Sequence, residues 1–160
     1  MSLQFATEEL AEQLKMRHWK LATAESCTGG GIAAACTDLA GSSQWFDCGF
    51  VTYSNEAKMK LLDVEAATLE QVGAVSEQTV REMVAGAVSN SAADVAVATS
   101  GIAGPGGAVP GKPVGTVWFG WGNHRRLHSE VCHFDGDREA VRQQAVMHAI
   151  KGLSHWLEQA

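Results

Sequence analysis

The stretch Thr23-Ala24-Glu25-Ser26-Cys27-Thr28-Gly29-Gly30-Gly31 decides how the rest of this 160-residue sequence is interpreted. An apolar run over 21–24 leads into two hydroxyls, a thiol and three glycines, and an alanine-rich helical pattern follows. This order is typical of a strand–turn–helix junction, where a side-chain oxygen lies beside backbone N–H groups at the positive end of a helix dipole. Such a junction suits a serine nucleophile with its oxyanion hole, and it also suits a bound phosphate.

Helical and strand patterns alternate on both sides of this junction. Strands are predicted over 21–25, 49–53, 95–99, 114–121 and 127–134. Helices are predicted from Thr7 (as N-cap) to about 18, over 28–39, from Ser54 or Asn55 to 62, over 68–72, after Ser76 and after Asp137. The pattern predicts one domain over residues 1–160: an α/β sandwich with a mostly parallel sheet, an antiparallel edge hairpin and helices on both faces.

Charge, hydropathy and cysteine spacing exclude several classes of function. The net charge is −6 and no basic run occurs, so nucleic acid is not an expected partner. No apolar run reaches the roughly 18 residues of a membrane span, and the N-terminus lacks a signal-peptide pattern, so a cytoplasmic location is expected. Four widely spaced cysteines form no CxxC pair, so a zinc site is not expected, and in a cytoplasmic chain they are expected to be reduced thiols. We expect no metal and no cofactor.

Polar side chains follow three of the predicted strands. Ser26, Tyr53 and Ser100 each come directly after a strand or at its end. Ligands of open α/β sheets bind at the carboxyl ends of parallel strands. The sequence therefore predicts that these three residues share one rim.

Ser26 is the first candidate for chemistry, although serine is also a common N-cap. Three successive glycines argue for close approach of the backbone to a ligand. A serine needs a base, and none of the six histidines lies near the carboxyl end of a predicted parallel strand. Lys58 follows the second strand, and a desolvated lysine can accept the serine proton. Cys27 remains an alternative nucleophile.

Two further segments have both a structural and a functional interpretation. Residues 100–107 are rich in glycine, and they form either a flexible loop or a backbone nest for an anion. Arg138 and Arg142 lie one helical turn apart. They form either an ion-paired surface or a fork that binds phosphate or carboxylate.

Five motifs in fixed order carry a resemblance to a known family. They are Ala24-Glu25-Ser26-Cys27-Thr28-Gly29-Gly30, Gly49-Phe50-Val51-Thr52-Tyr53-Ser54-Asn55-Glu56-Ala57-Lys58, Gly73-Ala74-Val75-Ser76, Ser100-Gly101-Ile102-Ala103-Gly104-Pro105 and Lys112-Pro113-Val114-Gly115-Thr116-Val117. From about residue 7 to its end, the chain closely resembles the nicotinamide-nucleotide amidohydrolases, the stand-alone form of the CinA C-terminal domain. It departs from them over 106–111, where the loop is less polar than expected.

The resemblance implies deamidation of nicotinamide mononucleotide to nicotinate mononucleotide and ammonia. It implies a serine–lysine pair, Ser26 and Lys58, with Tyr53 orienting the lysine or packing on the substrate ring. The candidate substrate-binding residues are Cys27, Thr28, Gly29, Gly30, Thr99, Ser100, Gly101, Arg138 and Arg142, the two arginines for the 5′-phosphate. The expected partner is a pyridine nucleotide, and a homodimer is among the options for assembly.

Two other classes stay open from the sequence. One is a non-catalytic nucleotide-binding module that uses the glycine turns as an anion cradle. The other is a regulatory or assembly domain with Trp45, Phe46 and Trp156 at a subunit interface.

Overall fold

The computed structural model of the chain describes residues 1–159, and these contain one five-stranded sheet in the order β2-β1-β3-β4-β5. The strands are β1 (Leu21–Glu25), β2 (Phe46–Val51), β3 (Val95–Gly101), β4 (Thr116–Gly122) and β5 (Leu127–His133). β1 lies parallel to both β2 and β3, whereas β4 is antiparallel to β3 and to β5. The predicted α/β class, with a parallel centre and antiparallel edge strands, is confirmed.

In the described part of the chain, six α-helices cover both faces of this sheet. They are α1 (Leu3–Arg17), α2 (Gly31–Thr37), α3 (Asn55–Leu62), α4 (Ala66–Val72), α5 (Glu77–Ser89) and α6 (Arg138–Glu158). α1, α2 and α6 enclose one apolar core, and α3 to α5 enclose the other. All five residues of β1 are buried, because this strand lies between the two helix layers. Within residues 1–159, no helix combines the length and the apolar content that crossing a bilayer requires.

Several predicted boundaries differ from the observed ones. The predicted N-cap at Thr7 is wrong: Ser2 caps α1, and the Thr7 hydroxyl donates to the Leu3 carbonyl one turn inside the helix. α2 begins at Gly31 rather than at residue 28, since Gly29 and Gly30 have positive φ angles of 61° and 102° that a helix excludes. The glycines therefore lengthen the turn after β1 before the helix begins.

Contact between α3 and α5 determines where Lys58 lies. Lys58 and Leu62 are one turn apart on the buried face of α3. Gly86 of α5 meets this helix so closely that an added Cβ would lie 1.8 Å from the Leu62 carbonyl oxygen. The absence of a side chain at residue 86 therefore allows α5 to hold α3 against the sheet.

The substitution Gly86→Ala should lower the free energy of unfolding, because the methyl group meets backbone that must shift, at a steric cost of up to about 3 kcal/mol. Alanine's better helix propensity, worth about 1 kcal/mol, offsets only part of this cost. Urea unfolding measures the change. The matched control is Gly106→Ala, where an added Cβ meets nothing within 4 Å. Equal stability of the two variants would contradict the close contact.

Candidate active site

A pocket of about 230 Å³ lies at the carboxyl ends of the three parallel strands. Ten residues line it: Ser26, Cys27, Tyr53, Lys58, Ala74, Val75, Ser100, Gly101, Ala103 and Arg138. The predicted rim of Ser26, Tyr53 and Ser100 is confirmed, because all three line this one pocket. None of the six histidines, all of them within the described residues, lines it.

The end of β1 is fixed from both sides, and this determines where Ser26 lies. The Ser26 N–H donates to the Thr99 carbonyl of β3 at 3.1 Å. On the other side, the Thr52 N–H donates to the Glu25 carbonyl at 2.8 Å. Hydrogen bonds to both neighbouring strands therefore hold the carboxyl end of β1, and Ser26, which follows it, lines the pocket.

Lys58 contacts Ser26 directly. Its Nζ donates to Ser26 Oγ at 2.9 Å, to the Thr52 carbonyl at 2.8 Å and to the Tyr53 carbonyl at 3.1 Å. The side chain is only 1% exposed. An amine with its two N–H groups on the two carbonyls would direct its lone pair at Ser26 Oγ. The local geometry therefore suits a neutral lysine that accepts the serine proton.

The pKa of Lys58 is consistent with such a role. Burial, the larger effect, lowers this pKa from 10.5 to about 8, and negative charge on the neighbouring Cys27 would act in the opposite direction. A base with a pKa near the working pH is efficient in proton transfer.

Burial shifts the pKa of Cys27, the alternative nucleophile, away from neutral pH. Its thiol is buried, and burial raises its pKa to about 11. The thiolate is the reactive form of cysteine, so this side chain is inert near neutral pH. The chemistry of the pocket therefore favours Ser26 over Cys27.

Glu25 organises the turn after the strand. Its buried carboxylate accepts from the Thr28 hydroxyl at 2.6 Å and from the backbone N–H groups of Ile32 and Ala33 at 2.9 and 3.0 Å. The Thr28 hydroxyl also lies 3.0 Å from the Thr99 hydroxyl. The N-terminus of α2 is thus occupied by the protein's own carboxylate, which leaves the preceding turn as the source of free N–H groups.

Within that turn the backbone N–H groups divide into two sets. The Gly29 N–H donates to the Ser26 carbonyl at 3.1 Å. The N–H groups of Cys27, Thr28 and Gly30 bond to no other residue among residues 1–159. Of these, Cys27 lines the pocket and follows the candidate nucleophile directly, which is where acyl-transfer enzymes of the α/β type place an oxyanion donor.

The two arginines of α6 have different surroundings. Arg142 donates to the carbonyls of Cys27 and Thr28 at 3.1 and 3.3 Å, so it holds the turn from outside the pocket. Arg138 is exposed at the pocket mouth, where it donates to the Gly104 carbonyl at 2.8 Å and reaches the Tyr53 hydroxyl at 3.5 Å. Only Arg138 presents its guanidinium to a ligand in the pocket.

The structure distributes the predicted binding residues over two groups. Cys27, Ser100, Gly101 and Arg138 line the pocket. Thr28, Gly29 and Gly30 form the turn behind it, and Thr99 and Arg142 contact that turn. Tyr53 contacts Lys58 through its backbone carbonyl, and its ring is 64% exposed at the mouth.

Three apolar residues line the pocket although they were not among the predicted site residues. Ala74 and Val75 precede the cap of α5, and Ala103 follows β3. Ala74 and Val75 fall within one of the five motifs, and Ala103 falls within another. Position inside those motifs was the one sequence signal that could have identified them.

The chain is similar to proteins of known family. The CinA C-terminal domain matches residues 3–157. Nicotinamide-nucleotide amidohydrolase PncC of Pseudomonas putida is 55% identical over 144 residues, which cover 90% of each chain. The protein of the same name from Escherichia coli K12 is 52% identical over 149 residues, 92% of this chain and 90% of that one.

Solved structures share the fold. The crystal structure of a CinA superfamily protein from Klebsiella pneumoniae 700603 superimposes with a TM-score of 0.96 at 43% identity, covering the whole of both chains. The sequence and structure matches extend over nearly all the described residues. This chain therefore belongs to the CinA C-terminal domain family.

Proposed function

We propose that this protein hydrolyses the carboxamide of nicotinamide mononucleotide to nicotinate mononucleotide and ammonia, through an acyl-enzyme on Ser26. The single observation that carries the proposal is the 2.9 Å contact between Lys58 Nζ and Ser26 Oγ inside a pocket. The substrate follows from relatives that are 52–57% identical and bear the name nicotinamide-nucleotide amidohydrolase.

Acylation begins with neutral Lys58. Ser26 Oγ attacks the carboxamide carbon, and its proton passes to Nζ. The C–N bond then breaks while Lys58 returns this proton to the leaving nitrogen, which departs as ammonia. The two carbonyls that accept from Nζ keep the amine oriented throughout.

The tetrahedral oxyanion is held by backbone N–H groups of the turn, with that of Cys27 first among them. Loss of one such donor typically costs about 10²–10³ in rate. In deacylation a water attacks the ester, Lys58 takes the water proton, and the ester C–O bond breaks as Lys58 returns the proton to Ser26 Oγ. Arg142, through the carbonyls of Cys27 and Thr28, acts as a positioning residue for this turn.

The pocket accepts the pyridine end of the substrate. Its volume of about 230 Å³ is below the roughly 300–1,000 Å³ of pockets that enclose a whole drug-sized ligand. The ribose and phosphate therefore extend to the mouth, where Arg138 is exposed. Arg138 binds the 5′-phosphate, and the Tyr53 ring covers the pyridine.

A non-catalytic nucleotide-binding module is the alternative. Such a module would keep the pocket and bind nucleotide without turnover. A site that only binds does not require a lysine buried against a serine, so the contact between Lys58 and Ser26 favours the enzyme. The assembly alternative has less support, since Trp45 and Trp156 are 1% and 4% exposed within the chain itself. A cytoplasmic location and a homodimer stay predictions.

Replacing either member of the pair should abolish turnover. Ser26→Ala and Lys58→Met should each lower kcat by at least about 10³-fold, since the two act as one unit. Release of ammonia and of nicotinate mononucleotide measures this. Lys60→Met is the matched control, because Lys60 lies exposed on the same helix and should be dispensable. Turnover retained in Ser26→Ala would contradict the proposal.

Activity should depend on the protonation of Lys58. Because its pKa is lowered to about 8, the neutral base is roughly a tenth of the enzyme at pH 7. The value of kcat/KM should therefore rise about tenfold per pH unit below this pKa and level off above it. Rates between pH 6 and 10 measure the profile, with Lys60→Met expected to reproduce it. A flat profile would exclude Lys58 as the base.

Arg138→Ala should raise KM for nicotinamide mononucleotide much more than for nicotinamide riboside, because only the former carries the phosphate. A charged hydrogen bond of this kind is worth about 1.5–3 kcal/mol, or roughly 10- to 150-fold in KM. Arg125→Ala, which removes an exposed arginine that does not line this pocket, controls for net charge. Equal effects on both substrates would show that Arg138 does not bind the phosphate.

A further inference from the structure

Three side chains with metal-binding atoms converge at the far edge of the sheet. Glu130 and Cys132 lie on β5, and His148 lies on α6. His148 Nε2 is 2.7 Å from Glu130 Oε1 and 3.4 Å from Cys132 Sγ, and the thiol is 3.7 Å from the same carboxylate oxygen. These three residues contribute nothing to the Ser26 pocket.

Strand and helix geometry produce this convergence. Residues 128, 130 and 132 share one face of β5, because side chains alternate along a strand. That face looks towards α6, which presents the imidazole of His148. No short sequence motif links ligands that lie 16 residues apart on two elements.

We propose that Glu130, Cys132 and His148 form a binding site for a zinc ion, which clamps β5 to α6. With these separations, one position lies roughly 2 Å from all three ligand atoms. This distance is close to typical Zn–N, Zn–O and Zn–S bond lengths of about 2.0–2.3 Å. Only the Nε2–Oε1 pair, now in hydrogen-bond contact, has to separate slightly to admit the ion.

The donor set selects the metal. A thiolate and an imidazole favour zinc over magnesium or calcium, which require oxygen ligands. Three protein ligands leave a fourth tetrahedral position for water. On binding, the Cys132 thiol releases its proton to solvent and the metal–sulfur bond forms, while neutral His148 supplies the Nε2 lone pair.

The surroundings hold the ligands in orientation. The His148 ring packs edge-on against Phe119 with centroids 4.7 Å apart, and it also contacts the rings of Trp121 and Phe134. His128 Nε2 lies 3.6 Å from Glu130 Oε2, the carboxylate oxygen that the zinc ion would leave free. Such outer contacts fix ligand geometry in known metal sites.

Solvent reaches the site. A cleft of about 670 Å³ is lined by Glu130 and His148 among other residues, which gives an ion a path from solution. The side chains of His148 and Glu130 are 33% and 42% exposed. β5 is an edge strand bonded only to β4 within residues 1–159, so a metal bridge to α6 would restrain the least supported part of the sheet.

Cobalt titration of the metal-free full chain tests the site, since Co²⁺ replaces zinc and absorbs light. One equivalent should give a near-ultraviolet thiolate-to-cobalt band together with tetrahedral d–d bands, and Zn²⁺ should remove both. Cys132→Ser should eliminate the thiolate band. Cys48→Ser, which alters a half-buried cysteine at the opposite edge of the sheet, should retain it.

Glu130→Gln provides a second variant on a partly exposed side chain, and it should weaken Co²⁺ binding at least about tenfold. Zn²⁺ should also raise the melting temperature of the parent and of Cys48→Ser, but much less that of Cys132→Ser. Absence of a thiolate band in the parent, its persistence in Cys132→Ser, or unchanged affinity in Glu130→Gln would each overturn the proposal. Deamidase activity does not enter any of these measurements.

Discussion

The burial of Lys58 against Ser26 is the constraint on which the rest of the site depends. A lysine that is 1% exposed loses hydration, which costs free energy unless its N–H groups find acceptors. The carbonyls of Thr52 and Tyr53 supply them, and the third neighbour is the Ser26 hydroxyl. Because those carbonyls follow β2, while Ser26 follows β1, the pair forms only when both strands end at the same edge. Parallel pairing of β1 and β2 provides this condition.

A second buried group, Glu25, gives the turn its shape. Its carboxylate occupies the first N–H groups of α2, so the positive end of that helix stabilises a protein side chain instead of a ligand. The turn before the helix, made possible by the positive φ of Gly29 and Gly30, then carries the free N–H groups. Arg142 fixes the carbonyls of the same turn from the other side. A charged group on each side therefore holds a backbone segment that has no regular secondary structure.

The sequence predicted those features that follow from local patterns. The predicted strand 21–25 matches β1 residue for residue, Ser54 and Ser76 cap their helices, and Ser26, Tyr53 and Ser100 meet at one rim. Features that depend on contacts between residues far apart in the sequence could not be predicted. Whether Arg142 faces a ligand or a backbone carbonyl depends on the packing of α6 against the turn. Likewise, Glu130, Cys132 and His148 come together only through the alternation of β5 and the position of α6, so cysteine spacing alone suggested no metal site.

Trapping the acyl group is the most direct measurement of the central claim, that Ser26 forms a covalent intermediate with Lys58 as its base. The enzyme would be incubated with nicotinamide mononucleotide and hydroxylamine, and the products separated by mass. We expect the hydroxamate of nicotinate mononucleotide to appear at the expense of the acid, in a ratio set by hydroxylamine concentration, and we expect Ser26→Ala to form neither. Formation of the acid alone, with no hydroxamate at any hydroxylamine concentration, would mean that water attacks the amide directly and would contradict the account.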